Sequence, residues 1–307
     1  MKTAAEPAPA RAPAQSYVAL PPGWQRVRAD GAGPFVTREI VRRPDGSEML
    51  WESRAHRKRG SGRAADSGSV WWRPRRRNWW MAVLFVLGSL CFTAGGIAAQ
   101  WATTSRPAIG ITFFVGSLFF TSAAYLQYAE AVNAERAVGP SGRRTRWRPV
   151  SWEPRRVDWW AALVQLAGTV LFNISTFAAM NTALSTTQVD SRVWAPDAFG
   201  SIAFLIASEL ALAEVCHRWL CLRRRDLPWK IVALNLLGSI TFGVSAVASL
   251  VEPASGQPVS AHVANAGTSI GGACFLLGAL LLMPESASAE RRALDARLPT
   301  AHVHASL

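Results

Sequence analysis

The chain has 307 residues, half of them hydrophobic and only 17 % charged, with 14 Trp and a formal charge of +13. A soluble domain of this length carries about a quarter of its residues as charges, so the composition argues against that class. The charges cluster at the ends of apolar runs, which argues against the nucleic-acid partner that a basic chain would otherwise suggest.

Residues 1–74 read as a basic, largely disordered segment. Its first 22 residues are rich in Ala and Pro. Between Thr37 and Ser53, two short polar strands flank a Pro44-Asp45-Gly46 turn. With Arg42, Arg43 and Trp51, this predicts an amphipathic hairpin over 37–53 lying on anionic headgroups, although a lone hairpin is only marginally stable. Residues 54–77 read as a basic tether containing Gly and Ser. No apolar signal-peptide core precedes residue 78, so the first helix is expected to act as an uncleaved anchor.

Six apolar stretches follow, near Trp79–Ala99, Ala108–Ala129, Trp159–Asn181, Ala198–His217, Trp229–Val251 and Val263–Met283. A hydrocarbon core of ~30 Å needs ~20 helical residues. Backbone in lipid must satisfy its own hydrogen bonds, so these stretches must be helices. The expected fold class is an all-α membrane protein with six transmembrane helices. A tail, 287–307, begins with a separate short helix at Ala287–Arg297.

Lys and Arg give the orientation. Of the 33, only Arg106 and Arg192 fall on one side; the rest lie before Asn78, in the loops at 131–157 and 218–230, and after Met283. By the positive-inside rule both termini are cytoplasmic in a bacterial inner membrane, with the Arg-rich segments against anionic headgroups.

The chain also repeats itself. Trp79, Trp159 and Trp229 are each followed at nine residues by Gly88, Gly168 and Gly238, and at thirteen by Phe92, Phe172 and Phe242. In the second helix of each pair, Gly116, Gly200 and Gly271 lead to Phe120, Phe204 and Phe275, then to Glu130, Glu214 and Glu285. Hairpin units at 75–130, 155–217 and 225–286 follow, and because each begins and ends on the same side, they are parallel repeats. At ~1.5 Å rise per residue, each Gly is level with the Phe of its partner helix, which suggests a reciprocal knob and notch. Trp79, Trp159 and Trp229 mark the cytoplasmic boundary with Glu130, Glu214 and Glu285. These carboxylates oppose the helix dipole, and Arg77, Arg156 and Arg225 are their nearest expected partners.

The unit WW-x7-G-[ST]-x2-F, a short loop and a second G-S-x2-F helix resembles the small YrhK-like two-helix membrane domain, here in three copies. The third unit departs from it at Lys230 and Gly272. The resemblance implies no activity that can be carried over.

Glu209 is the most unusual residue within a span. Gln165 and Asn235 fall at a similar depth, so the three could form a polar cluster that passes an ion or solute, or could simply bond between helices. Asn173 is a second lone polar residue. Cys216 and Cys221 are expected to stay reduced, and Cys216-His217-x3-Cys221 lacks the ligands of a metal site. No zinc helix, Ser-His-Asp set or phosphate loop appears. No catalytic residue, metal or cofactor is therefore expected. A structural role is favoured over a small transporter or channel, with a homo-oligomer left open.

Overall fold

A computed structural model describes residues 19–58, 69, 71–74, 76–101, 105–134, 147–252 and 255–295. Among these residues, six helices are long and apolar enough to cross a membrane. They are α2 (Arg77–Ala99), α3 (Arg106–Asn133), α4 (Val157–Ala179), α6 (Ala195–Cys216), α7 (Leu227–Ala248) and α8 (Ala261–Asp295). A single turn, α5 (Thr186–Val189), and a π-helical turn at Asp190–Trp194 lead into α6. Prolines open α3, α6 and α7, where the missing N–H would have no helical partner anyway. Each of the six helices packs on its chain neighbour, and α8 returns to pack on α2, so the bundle closes into a ring. Leu90, Ile97, Ile111, Ile174, Ile202 and Val247 are among the large apolar side chains left exposed around it. This outer surface suits lipid and suggests a multi-pass membrane protein.

The ring has an aromatic centre. A Cβ on Gly88 would fall 2.7 Å from Cδ2 of Phe120, and one on Gly116 would fall 3.3 Å from Phe92. Gly168 faces Phe204, Gly200 faces Phe172, Gly238 faces Phe275 and Gly271 faces Phe242. The six rings stack in two triangles. Phe92, Phe172 and Phe242 have centroids 5.8–6.4 Å apart. Phe120, Phe204 and Phe275 have centroids 5.6–6.2 Å apart. Within the helix pairs α2–α3, α4–α6 and α7–α8, the layers are joined at 5.4, 5.1 and 5.3 Å.

Two features differ from the sequence reading. First, the chain is not all-α, and residues 19–58 are folded. Strands β1 (Gln25–Ala32), β2 (Phe35–Arg42) and β3 (Glu48–Glu52) form an antiparallel meander. Gly46, at φ +83, and the Asp45 carboxylate, which accepts the Ser47 N–H at 2.9 Å, make the β2–β3 turn. Val41 and Trp51 pack with Leu20 and Trp24 on one face. Strand β1 escaped the sequence reading because its exposure does not alternate cleanly. A short helix, α1 (Ser53–Lys58), follows β3 without a linker, where a tether was expected. Residues 1–18 and most of 59–70 lie outside the described residues.

Second, α8 runs unbroken through Pro284, where a span ending at Met283 and a separate tail helix were expected. Proline removes one helical donor. Here the Pro284 carbonyl accepts the Ser288 hydroxyl at 2.8 Å, and Glu285 is buried and held by an ion pair.

Candidate functional site

A network of buried charged side chains gathers at the end of the ring that faces the sheet. On α1, Arg54, Arg57 and Lys58 sit at i, i+3 and i+4 and so share one face. That face enters the mouth of the bundle, where each cation meets one of the three aligned glutamates. Arg54 donates to both oxygens of Glu285 at 2.7 and 3.1 Å. Arg57 donates to both oxygens of Glu214 at 3.1 Å. The Lys58 ammonium lies 3.7 Å from Glu130. The expected partners Arg77, Arg156 and Arg225 are replaced by these three, which the sequence reading had placed in the tether.

Other groups complete the network. The Ser53 hydroxyl donates to Glu214, and the Asn78 amide donates to Glu130 at 3.4 Å. Asp158 accepts Arg57 at 2.9 Å and Arg156 Nε at 3.1 Å. Burial pulls the Arg57 guanidinium down, but Glu214, Asp158 and Glu130 more than offset it and hold it above its ordinary value. It stays charged at any accessible pH.

Beneath α1 lies a cavity of about 60 Å³ between the charged cluster and the phenylalanine layers. Its polar lining includes Gln127, Gln165, Ser208 and Asn235. Gln127 donates to Gln165 at 3.0 Å across the α3–α4 seam, and Ser208 bonds Ser239 at 2.8 Å across α6–α7.

The expected cluster of Glu209 with Gln165 and Asn235 is not assembled. Both amides line the cavity, but Glu209 does not. Ser208 already points inward, and one residue further turns a helix by 100°. Glu209 is half-buried and makes no hydrogen bond or ion pair among the described residues. Asn173 donates to Thr121 at 2.9 Å and serves the α3–α4 seam.

The three aligned tryptophans do more than mark a boundary. Trp79, Trp159 and Trp229 donate their indole N–H to the carbonyls of Trp71, Ser151 and Cys221, at 2.8, 2.8 and 2.9 Å. Each acceptor lies eight residues earlier, so each indole clamps the turn that leads into its helix. Trp79 and Trp159 are thereby buried, while their neighbours Trp72 and Trp152 are left exposed.

Cys216 and Cys221 form a disulfide with Cα atoms 5.5 Å apart, which corrects the expected reduced pair. Helix α6 ends at His217, at φ 57, which folds the chain back so that residue 221 returns beside 216. Cys91 and Cys274 are free. Among the described residues, no group of three or more His, Cys, Asp or Glu is placed to hold a metal ion. No family model, curated protein or solved structure matches the chain.

Proposed function

We propose that the chain is a multi-pass protein of the bacterial inner membrane with a structural role: a closed bundle that seats its own N-terminal domain at the cytoplasmic face. On this reading the six helices are three tandem, parallel hairpins of the YrhK-like kind about a pseudo-threefold axis. The distribution of Lys and Arg along the sequence, 31 of 33 in the segments on one side of the six apolar stretches, supports the orientation. The matched Gly–Phe notches and the two phenylalanine triangles support the repeat.

The observation that carries the structural reading is the packing on the axis. Six Phe rings in mutual contact fill it, and α1 occupies the mouth above. Charged or hydrated solutes have no polar track through such a layer, since an unpaired ion in apolar surroundings is strongly disfavoured. The reading extends to the absence of catalysis, because the acidic and basic groups at the mouth are neutralised against each other.

The test is flux. Full-length protein in proteoliposomes is expected to pass K⁺, protons and a small neutral solute no faster than protein-free vesicles. Flux above that level, removed by Glu209→Leu, would overturn the structural reading in favour of a transporter.

A further inference from the structure

Residues 216–221 are where the bundle, the sheet and α1 meet. The Cys216–Cys221 bridge closes the loop between the end of α6 and the approach to α7. Within this loop, His217 Nδ1 lies 3.0 Å from the Thr37 hydroxyl on β2, and its Nε2 lies 3.5 Å from the Glu52 carboxylate on β3. The Trp219 ring lies against Gly33 in the β1–β2 turn, where a Cβ would fall 3.2 Å from it. One residue after Glu52, Ser53 donates to Glu214, which is two residues before the bridge. At the far end of the loop, the Cys221 carbonyl receives the Trp229 indole. Every described contact of this loop with the sheet therefore depends on a segment held at both ends by one covalent bond.

We propose that Cys216–Cys221 is a thiol-exchange site, and that a dithiol reductant acting there controls the seating of the sheet and α1. This rests on the reading of the bundle as a seat for the N-terminal domain. At the cytoplasmic face such a bond is reducible, and disulfides found there are usually redox-sensing or catalytic. Cys216 is buried and Cys221 is half-buried, so the incoming thiolate attacks the Cys221 sulfur. That attack forms a mixed disulfide on Cys221 and expels the Cys216 thiolate. The second thiol of the reductant, as thiolate, then attacks the mixed disulfide at the reductant's own sulfur and releases the Cys221 thiolate. The reductant leaves as a disulfide, having supplied two electrons, and the protein pair takes up two protons. Arg218 and Arg223–Arg225 flank the bridge in the sequence and make its surroundings basic, which favours a thiolate as leaving group. Once the bridge opens, nothing covalent keeps His217 at positive φ, a conformation that side chains with a Cβ rarely adopt. The loop relaxes, and Thr37, Glu52 and Gly33 lose their partners together.

The experiment compares oxidised and dithiothreitol-reduced full-length protein in nanodiscs by hydrogen exchange and maleimide labelling. In the oxidised protein, Cys216 and Cys221 should resist labelling, and reduction should expose both. Reduction should also speed amide exchange across residues 35–58 by about tenfold, with α2 and α3 unchanged. Cys216→Ser should show the faster exchange under both conditions, while Cys91→Ser/Cys274→Ser should respond like the parent protein. Reduction itself needs no substitution, so a variant that misfolds leaves the comparison intact. Identical exchange of residues 35–58 in the two states would overturn the proposal. So would immediate labelling of both thiols after mild oxidation, or loss of protection throughout the bundle on reduction. Flux plays no part in this readout, so a transporter result would not be confused with failure of the switch.

Discussion

Gly88→Ala isolates the notch from every other property of the helix. The new Cβ would lie 2.7 Å from Phe120 Cδ2 and 3.0 Å from the Gly116 carbonyl oxygen, against a carbon–carbon optimum of about 3.5–4.0 Å. Phe120 has little room to retreat, because it already touches Phe85, Phe92, Phe204 and Phe275. Overpacking of this kind costs about 1–3 kcal/mol. The same change contributes about 0.5–1 kcal/mol in favour of the helix, because Gly is the poorer helix former. Gly243→Ala gives the control: it is also mid-helix, but its Cβ would meet only Leu205 Cδ1 at 3.5 Å, an ordinary contact. It should keep the propensity gain and incur no clash. The two alanine variants should therefore differ by about 1–3 kcal/mol, or roughly five- to 150-fold in the unfolding equilibrium. The assay is reversible unfolding in mixed micelles by titration with SDS. Gly88→Leu should be worse still, while Leu87→Ile, at an exposed site, should stay near the parent. If Gly88→Ala proved as stable as Gly243→Ala, the helices would not be held by the notch.

Two further outcomes follow from the charged mouth and the sheet. Arg57→Met leaves Glu214 and Asp158 buried without their shared cation, and should cost about 3–5 kcal/mol. Adding Glu214→Gln, with Asp158 left to its ion pair with the buried Arg156, should recover most of it in the same unfolding assay; no recovery would mean that α1 is held by something other than charge. The pH response of the sheet should come from Glu52, whose carboxyl is held below its ordinary value by the His217 hydrogen bond, against the opposing effect of burial. A depressed carboxylate contributes stability above its unfolded value and loses it as pH falls towards the folded one. Protection of β3 against hydrogen exchange should therefore fall as pH drops through and below the usual carboxylate range, and Glu52→Gln should flatten that response.

What was legible in the sequence was what varies along a single helix. Apolar length gave the six spans. Spacing alone set Gly88 level with Phe120, and the structure places them in contact. Azimuth was harder to read. Glu209, Gln165 and Asn235 share a depth, yet only the two amides reach the cavity, because depth does not fix the face. The partners of Glu130, Glu214 and Glu285 were illegible for a different reason. Arg54, Arg57 and Lys58 lie in a six-residue helix that is too short to show a hydrophobic period. A signal was present nonetheless, in three cations on one helical face and three glutamates at equivalent positions. The Cys216–Cys221 bridge was missed because the compartment decided the expectation, while the deciding fact was local: a left-handed His217 that folds the chain back.

The departure at Gly272 can be understood in the same terms. The glycines Gly116 on α3 and Gly200 on α6 are followed by Ser117 and Ser201, whereas Gly271 on α8 is followed by Gly272. Ser117 bonds Thr176 at 3.0 Å on α4, and Ser201 reaches the Phe242 carbonyl at 3.5 Å on α7, so those two seams close through hydroxyls. The third seam, α8 against α2, closes through backbone. A Cβ on Gly272 would fall 2.8 Å from the Thr93 nitrogen and 3.2 Å from the Phe92 carbonyl carbon. A Cβ on Gly96, across the same seam, would fall 2.9 Å from the Asn265 oxygen and 3.0 Å from the Ser269 nitrogen. The Thr93 and Ser269 hydroxyls lie nearer still, but even if they swung away the backbone atoms would remain in the path of the new Cβ. Gly272→Ser would give α8 the Gly-Ser pair of α3 and α6, yet it should destabilise the protein by about 1–3 kcal/mol by forcing α8 off α2. Disulfide cross-linking between cysteines introduced on α2 and α8 should slow at the same time. A Gly272→Ser protein with unchanged unfolding and unchanged cross-linking would mean that the last seam is loose, and that the ring is not closed by close backbone contact.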